Sequence, residues 1–283
     1  MKRTLIASAI LLGSFSLTPV FAQEAAAAAE DNDPLAAKNF TSTVYLTTNY
    51  MFRGISNSNG PAIQGSVDYT YKGFFVGAWG SNTEFSDSNF EVDAYAGYRW
   101  SMSGLDFTLQ GIYYSYPGES DTRTEGFDPV GAKAAYGEVN IGVSHTFAGD
   151  LAPTVGANYF YSPDAFGEDG SSHTVQFNAG ITMPAGIGLY TVVGYNLTEG
   201  DKSSGNAAPA NTGLPDIGGY SYIYYQFGAN YMVKGFKLDL SYVGTDQNKQ
   251  LEAFYTAAPV ANQEDNFKDL IDGALVFTVS RTF

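Results

Sequence analysis

The chain of 283 residues contains no cysteine. Disulfide stapling is excluded, so stability has to come from backbone pairing and packing. Histidine occurs twice, at His145 and His173, which leaves few candidates for a catalytic base. Basic residues are also scarce, with 14 Lys and Arg against 29 Asp and Glu and a formal net charge of −15. A chain this acidic repels phosphates rather than displacing counterions from them, which argues against a nucleic-acid partner. Beyond the first residues there is no long uncharged apolar run, so no transmembrane helix is expected after the N-terminus.

What is present begins with Lys2 and Arg3, followed by an apolar stretch from Leu5 to Leu17 that closes on "TPVFA". A basic region, an apolar region and small residues at Val20 and Ala22 read as a signal peptide over 1–22, cut after Ala22. The apolar stretch is shorter than the roughly 20 residues of a spanning helix. Residues 23–40, Ala-rich and acidic, read as a flexible leader, and residues 41–283 as the folded unit.

That unit holds 21 Tyr, 20 Phe and 32 Gly, with only 15% charged residues. Tyr and Phe favour pleated surfaces and frequent Gly spoils helices, so the expectation is all-β. Period-two alternation recurs along the chain. In "FEVDAYAGYRW" (90–100), Phe90, Val92, Ala94, Tyr98 and Trp100 oppose Glu91, Asp93, Tyr95 and Arg99. "HTVQFNAGITM" (173–183) and "FKLDLSYVG" (236–244) behave alike. Such segments lie at 43–53, 62–71, 74–83, 90–100, 105–116, 134–147, 151–161, 172–183, 187–197, 220–231, 236–244 and 273–283. Their lengths suit tilted membrane-spanning strands.

The connections alternate between short (Lys72-Gly73, "SMSG", "AGD", "PAG", "MVKG") and long and acidic (117–133, 198–219, 245–269). One end of an up-and-down antiparallel meander is therefore trimmed close. About 12 strands, an even count, with short periplasmic turns and longer extracellular loops point to a transmembrane β-barrel of the outer membrane. Only a closed sheet satisfies every backbone group in lipid. Outward aromatics form two belts. Tyr69, Tyr71, Phe74, Tyr98, Trp100, Phe107, Phe147, Tyr231 and Phe236 lie at the short-turn ends, and Tyr50, Phe52, Tyr113, Tyr159, Tyr161, Tyr195 and Tyr242 at the long-loop ends. A soluble β-sandwich, the competing architecture, has no need of such girdles.

Charges on the opposite faces are assigned to a lumen, since a charge facing lipid costs a few kcal/mol. The pore-lining candidates are Arg53, Asp68, Glu91, Asp93, Arg99, Asp106, Glu138, Lys237 and Asp239. Acids outnumber bases in this set, which favours cations weakly. Twelve strands fall between filled and open barrels, so either a narrow passage or a plug of paired charges is compatible with this interior.

The chain ends on "LVFTVSRTF". Leu275, Phe277, Val279 and the terminal Phe283 resemble the C-terminal strand by which the barrel-assembly machinery recognises outer-membrane proteins; Arg281 departs from that pattern. The stretches "LTTNYMFRGIS" (46–56), "PAIQGSVDY" (61–69), "VGAWGSN" (76–82), "EVDAYAGY" (91–98) and "SRTF" resemble the TorF family of porins, also known as the Gcw_chp domain. The resemblance runs from about Thr43 to Phe283; it implies an outer-membrane location and a channel, and brings no catalytic or ligand-binding residues.

No enzyme, cofactor or metal is expected. Ser144-His145 and Ser172-His173 are adjacent and so point to opposite faces of a strand. Ser171 and His173 share a face, but the sequence places no third group to orient the pair. "DQNKQLE" (246–252) lacks the glycine and glutamate of a calcium loop. Asp164, Glu168 and Asp169 read as a solvated loop, with loose divalent bridging to lipopolysaccharide as the sharper alternative. The expected function is passive diffusion of small hydrophilic solutes or ions through the outer membrane. The alternative is a non-conducting barrel with a structural, adhesion or ion-capture role.

Overall fold

A computed structural model describes residues 33–84, 88–118, 134–166, 170–200, 219–249, 251 and 267–283. The signal peptide, most of the leader, and large parts of the loops at 117–133, 198–219 and 245–269 lie outside the described residues. The strands are β1 (Phe40–Thr47), β2 (Met51–Phe52), β3 (Ile55–Ser56), β4 (Ala62–Tyr71), β5 (Phe74–Asn82), β6 (Phe90–Met102) and β7 (Leu105–Ser115). They continue as β8 (Tyr136–Thr146), β9 (Thr154–Ser162), β10 (Ser172–Thr182), β11 (Ile187–Thr198), β12 (Tyr220–Val233), β13 (Phe236–Thr245) and β14 (Ala274–Thr282). β1 and β4 to β14 form a closed 12-strand antiparallel barrel, and β2 and β3 pair separately.

Turn chemistry explains the trimmed end. Lys72-Gly73, Ser103-Gly104 and Lys234-Gly235 each place two successive residues at positive φ. That is the type I′ geometry whose twist matches two-residue hairpins. The ring closes where β1 meets β14, with Thr43 opposite Thr282 and Thr47 opposite Thr278. Phe283 continues the ladder by donating its N–H to the Ser42 carbonyl at 2.8 Å and accepting from the Ser42 N–H at 3.2 Å. Leu275, Phe277 and Val279 lie on the outer face of β14, and the Arg281 guanidinium rests against the Phe236 and Phe283 rings, 5.0 Å from each centroid. An arginine at the rim lays its stem on aromatic surface and keeps its charge at the polar boundary.

Outward positions carry exposed apolar side chains, among them Val67, Leu109, Ile141, Phe177, Phe227 and Leu240. Aromatic residues border this band. Phe74, Tyr98, Trp100, Phe147, Tyr231 and Phe236 are exposed at the short-turn end, and Tyr113, Tyr159, Tyr161, Tyr195 and Tyr242 at the long-loop end. Two expected members of the upper belt are not there. Tyr50 is buried, and Phe52 packs inward against Tyr114 with ring centroids 5.8 Å apart. The reason is that β1 stops at Thr47 instead of running on to residue 53. The following residues turn into the barrel.

Candidate pore and its internal hairpin

β2 and β3 form a two-residue hairpin whose tip, Arg53-Gly54, has φ of 47° and 86°. At its base, Asn49 Oδ1 accepts from the hydroxyls of Ser56 (2.7 Å) and Ser58 (3.3 Å), and the Tyr50 N–H donates to Ser58 Oγ at 2.8 Å. Gly54 abuts the far wall: a Cβ there would meet the Gly244 carbonyl at 2.6 Å and Tyr224 Cβ at 2.9 Å. Only glycine fits that approach.

Arg53 then reaches across the barrel. Its Nη1 and Nη2 donate to Glu138 Oε1 and Oε2 at 2.8 and 2.9 Å, a bidentate pair buried on both sides. Tyr114 donates its hydroxyl to Glu138 Oε2 at 3.0 Å, and the guanidinium lies 4.8 Å from the Phe160 centroid. Phe160 belongs to β9, half-way round the ring from β1. Ile55, on the same hairpin, packs with Val192, Tyr222, Tyr224, Leu251, Leu270 and Ile271; Met51 packs with Val243 and Val276. The long-loop half of the interior thus has an apolar core, which alternation alone did not indicate.

From mid-height to the short-turn end the interior is polar. Gln110, Asn140, Asn158, Gln176 and Gln226 face inward from successive or near-successive strands. Their exposures of 8%, 1%, 2%, 1% and 5% mean that they are covered and do not line a wide bore. Asn140 Oδ1, Asn158 Oδ1, Gln176 Nε2 and Asn230 Nδ2 have no protein partner among the described residues. Buried polar atoms left in this way call for water or a polar solute.

The sequence candidates fall into separate groups. Arg53 and Glu138 meet, although Arg53 sits on the hairpin and not on a wall strand. Asp68 accepts from Ser66 Oγ at 2.9 Å and from the Tyr95 hydroxyl. Arg99 lies 3.9 Å from the Phe75 centroid. Lys237 Nζ and Asp239 Oδ2 face each other at 3.9 Å, with Tyr190 donating to Asp239 Oδ1 at 2.8 Å. Asp106 is exposed at the short-turn mouth, bonded to Ser101. Glu91 and Asp93 lie together on β6, fully buried.

Sequence reasoning missed a recurrent packing device. Inward tyrosines lie over glycines of the neighbouring strand to reach a partner beyond. Tyr95 crosses Gly77 to Asp68, Tyr190 crosses Gly228 to Asp239, and Tyr224 crosses Gly194 to Gln176. The signal was the glycine on the inner face of a strand, where a missing side chain admits a ring.

His145 and His173 both face outward. His145 Nδ1 bonds the Gly104 carbonyl at 2.7 Å, and His173 Nδ1 bonds the Tyr159 hydroxyl at 2.7 Å. Glu199, not foreseen from sequence, approaches His173 at 4.0 Å and accepts from Ser171 Oγ at 2.6 Å. The serine hydroxyl is thus committed to the carboxylate. Among the described residues there is no group of three or more His, Asp or Glu placed to hold a metal. Asp164 is exposed, and Glu168 and Asp169 lie outside the described residues.

A closed antiparallel barrel with an apolar outer band, aromatic borders and a polar interior defines the fold class of outer-membrane porins. The chain belongs to the family described as "Bacterial protein of unknown function (Gcw_chp)", whose model matches residues 31–283. That description does not carry the TorF name. Among solved structures, the NanC porin is similar at 11% identity over 86% of this chain and 98% of that one, with a TM-score of 0.51. The KdgM porin is similar at 9% identity over the same shares, with a TM-score of 0.48. Likeness at this identity speaks to the fold alone. A comparison with curated proteins returns no match.

Proposed function

We propose that the protein is an exported outer-membrane channel of the TorF porin type, passing small hydrophilic solutes or ions with a weak preference for cations. In this reading residues 1–22 direct export, the short turns face the periplasm, and the barrel-assembly machinery engages the β14 strand. The observation that carries it is the two-sided wall: hydrocarbon-compatible side chains outside, and amides, hydroxyls and charges inside from mid-height to the short-turn mouth. The hairpin restricts the other half, so conduction in this reading needs it to shift. Acidic loops at the external mouth would enrich cations there.

Purified protein in planar bilayers is expected to give discrete conductance steps that are larger or more frequent in Arg53→Ala. Glu91→Gln/Asp93→Asn is expected to lower cation preference, read from the reversal potential across a salt gradient. A folded barrel that conducts neither as wild type nor with the hairpin freed rejects the channel. A second reading would then stand, favoured by the Arg53–Glu138 pair itself: a plugged barrel acting in envelope structure, adhesion or ion capture.

A further inference from the structure

Pairing off the interior charges leaves one place uncompensated. Arg53 takes Glu138, and Lys237 faces Asp239. Arg99 lies on the side of the barrel that carries Asp68 and Tyr95. Glu91 and Asp93 have no basic residue within ion-pair distance among the described residues. They occupy successive inward positions on β6 and are 1% and 0% exposed. Among the described residues, neither Asp93 oxygen nor Glu91 Oε2 has a partner in good hydrogen-bond geometry; Glu91 Oε1 accepts from the Tyr50 hydroxyl at 3.2 Å, and Asn57, Tyr116 and Asp93 also lie close to the Glu91 carboxyl.

Two neighbouring carboxylates in a dry site cannot both stay ionised and uncompensated, because desolvation and mutual repulsion add. Either protons or a cation must neutralise them. A cation fits the surroundings. Three carboxylate oxygens have no partner in good hydrogen-bond geometry among the described residues, and neighbouring strands bring Trp79 and Tyr114 level with Asp93. Tyr50, stacked edge-on to Trp79 with centroids 5.3 Å apart, covers Glu91 from the hairpin side. Aromatic faces tolerate a nearby positive charge and exclude bulk water.

We propose that Glu91 and Asp93 hold one divalent, oxygen-seeking cation of the calcium or magnesium class behind the Tyr50 side of the hairpin. Such ions take carboxylate oxygens and complete their shells with water. The site deepens the cation preference proposed above and rests on that reading only for its link to transport. Tyr50 belongs to the hairpin and Glu91 to the wall, so occupancy also ties the plug to β6.

Terbium(III), which seeks the same oxygen ligands and luminesces when an aromatic ring beside it is excited, is the probe. The chain has two tryptophans, Trp79 beside Asp93 and Trp100 on the outer face at the short-turn end. Selective tryptophan excitation of the full-length barrel in detergent should give saturable terbium emission that excess calcium competes away. Glu91→Gln/Asp93→Asn and Trp79→Phe should each abolish it, while Asp106→Asn and Trp100→Phe should leave it intact. Absence of emission in the wild type, or emission that survives Trp79→Phe, overturns the site. The Trp79→Phe arm decides the matter even if the double carboxylate variant does not fold. Because emission is read without ion flow, a conducting barrel that fails to light terbium loses the site and keeps the channel. A silent barrel that lights it does the reverse.

Discussion

At the scale of single residues, the inner face is organised by what a glycine leaves out. Tyr224 and Tyr190 lie where the Cβ atoms of residues 194 and 228 would be, so each ring reaches a polar partner two strands away. Gly194→Ala and Gly228→Ala are therefore expected to cost about 1–3 kcal/mol, the range for overpacking a filled interior. Gly111, with nothing within 4 Å of a built Cβ, is the control; Gly111→Ala should be neutral or stabilising by a few tenths up to about 1 kcal/mol. Reversible urea unfolding in lipid vesicles measures all three.

The element that most shapes the interior is the β2–β3 hairpin. Its anchor is the buried Arg53–Glu138 pair, and removing one partner strands the other charge. Arg53→Ala or Glu138→Ala should each cost about 3–5 kcal/mol, and the double variant clearly less than their sum. Both Cβ-truncated chains should also admit protease at residues 50–57 sooner than the wild type. The hairpin shows where sequence reading succeeds and fails. The twelve wall strands were legible because a side chain meets either lipid or lumen, and that two-solvent choice prints itself as alternation. Tyr50 and Phe52 continue the parity of Val44 and Leu46, so the pattern ran on past the true end of β1 at Thr47. The Arg-Gly pair in "MFRGIS" was the available sign, since Gly54 permits the I′ turn. Pairings such as Arg53 with Glu138, or Arg99 with Phe75, depend on the width and stagger of the closed ring and leave no trace in local sequence.

The whole molecule is a wall between two solvents, and its stability should depend on depth. Phe177 is exposed mid-strand on the outer face, while Met183 sits at the short-turn rim after β10. Phe177→Arg should destabilise the barrel in bilayers by about 2–4 kcal/mol and Met183→Arg by about 0–1 kcal/mol. Equal penalties at the two depths would contradict a bilayer-spanning wall. Closure carries a further consequence. The first and last barrel strands are each other's neighbours, and the final pair of hydrogen bonds joins Ser42 to Phe283. A chain that stops before β14 leaves two raw edges facing one another with nothing to bridge them. Closure of this cylinder therefore depends on β14, the last barrel strand in chain order, docking against β1.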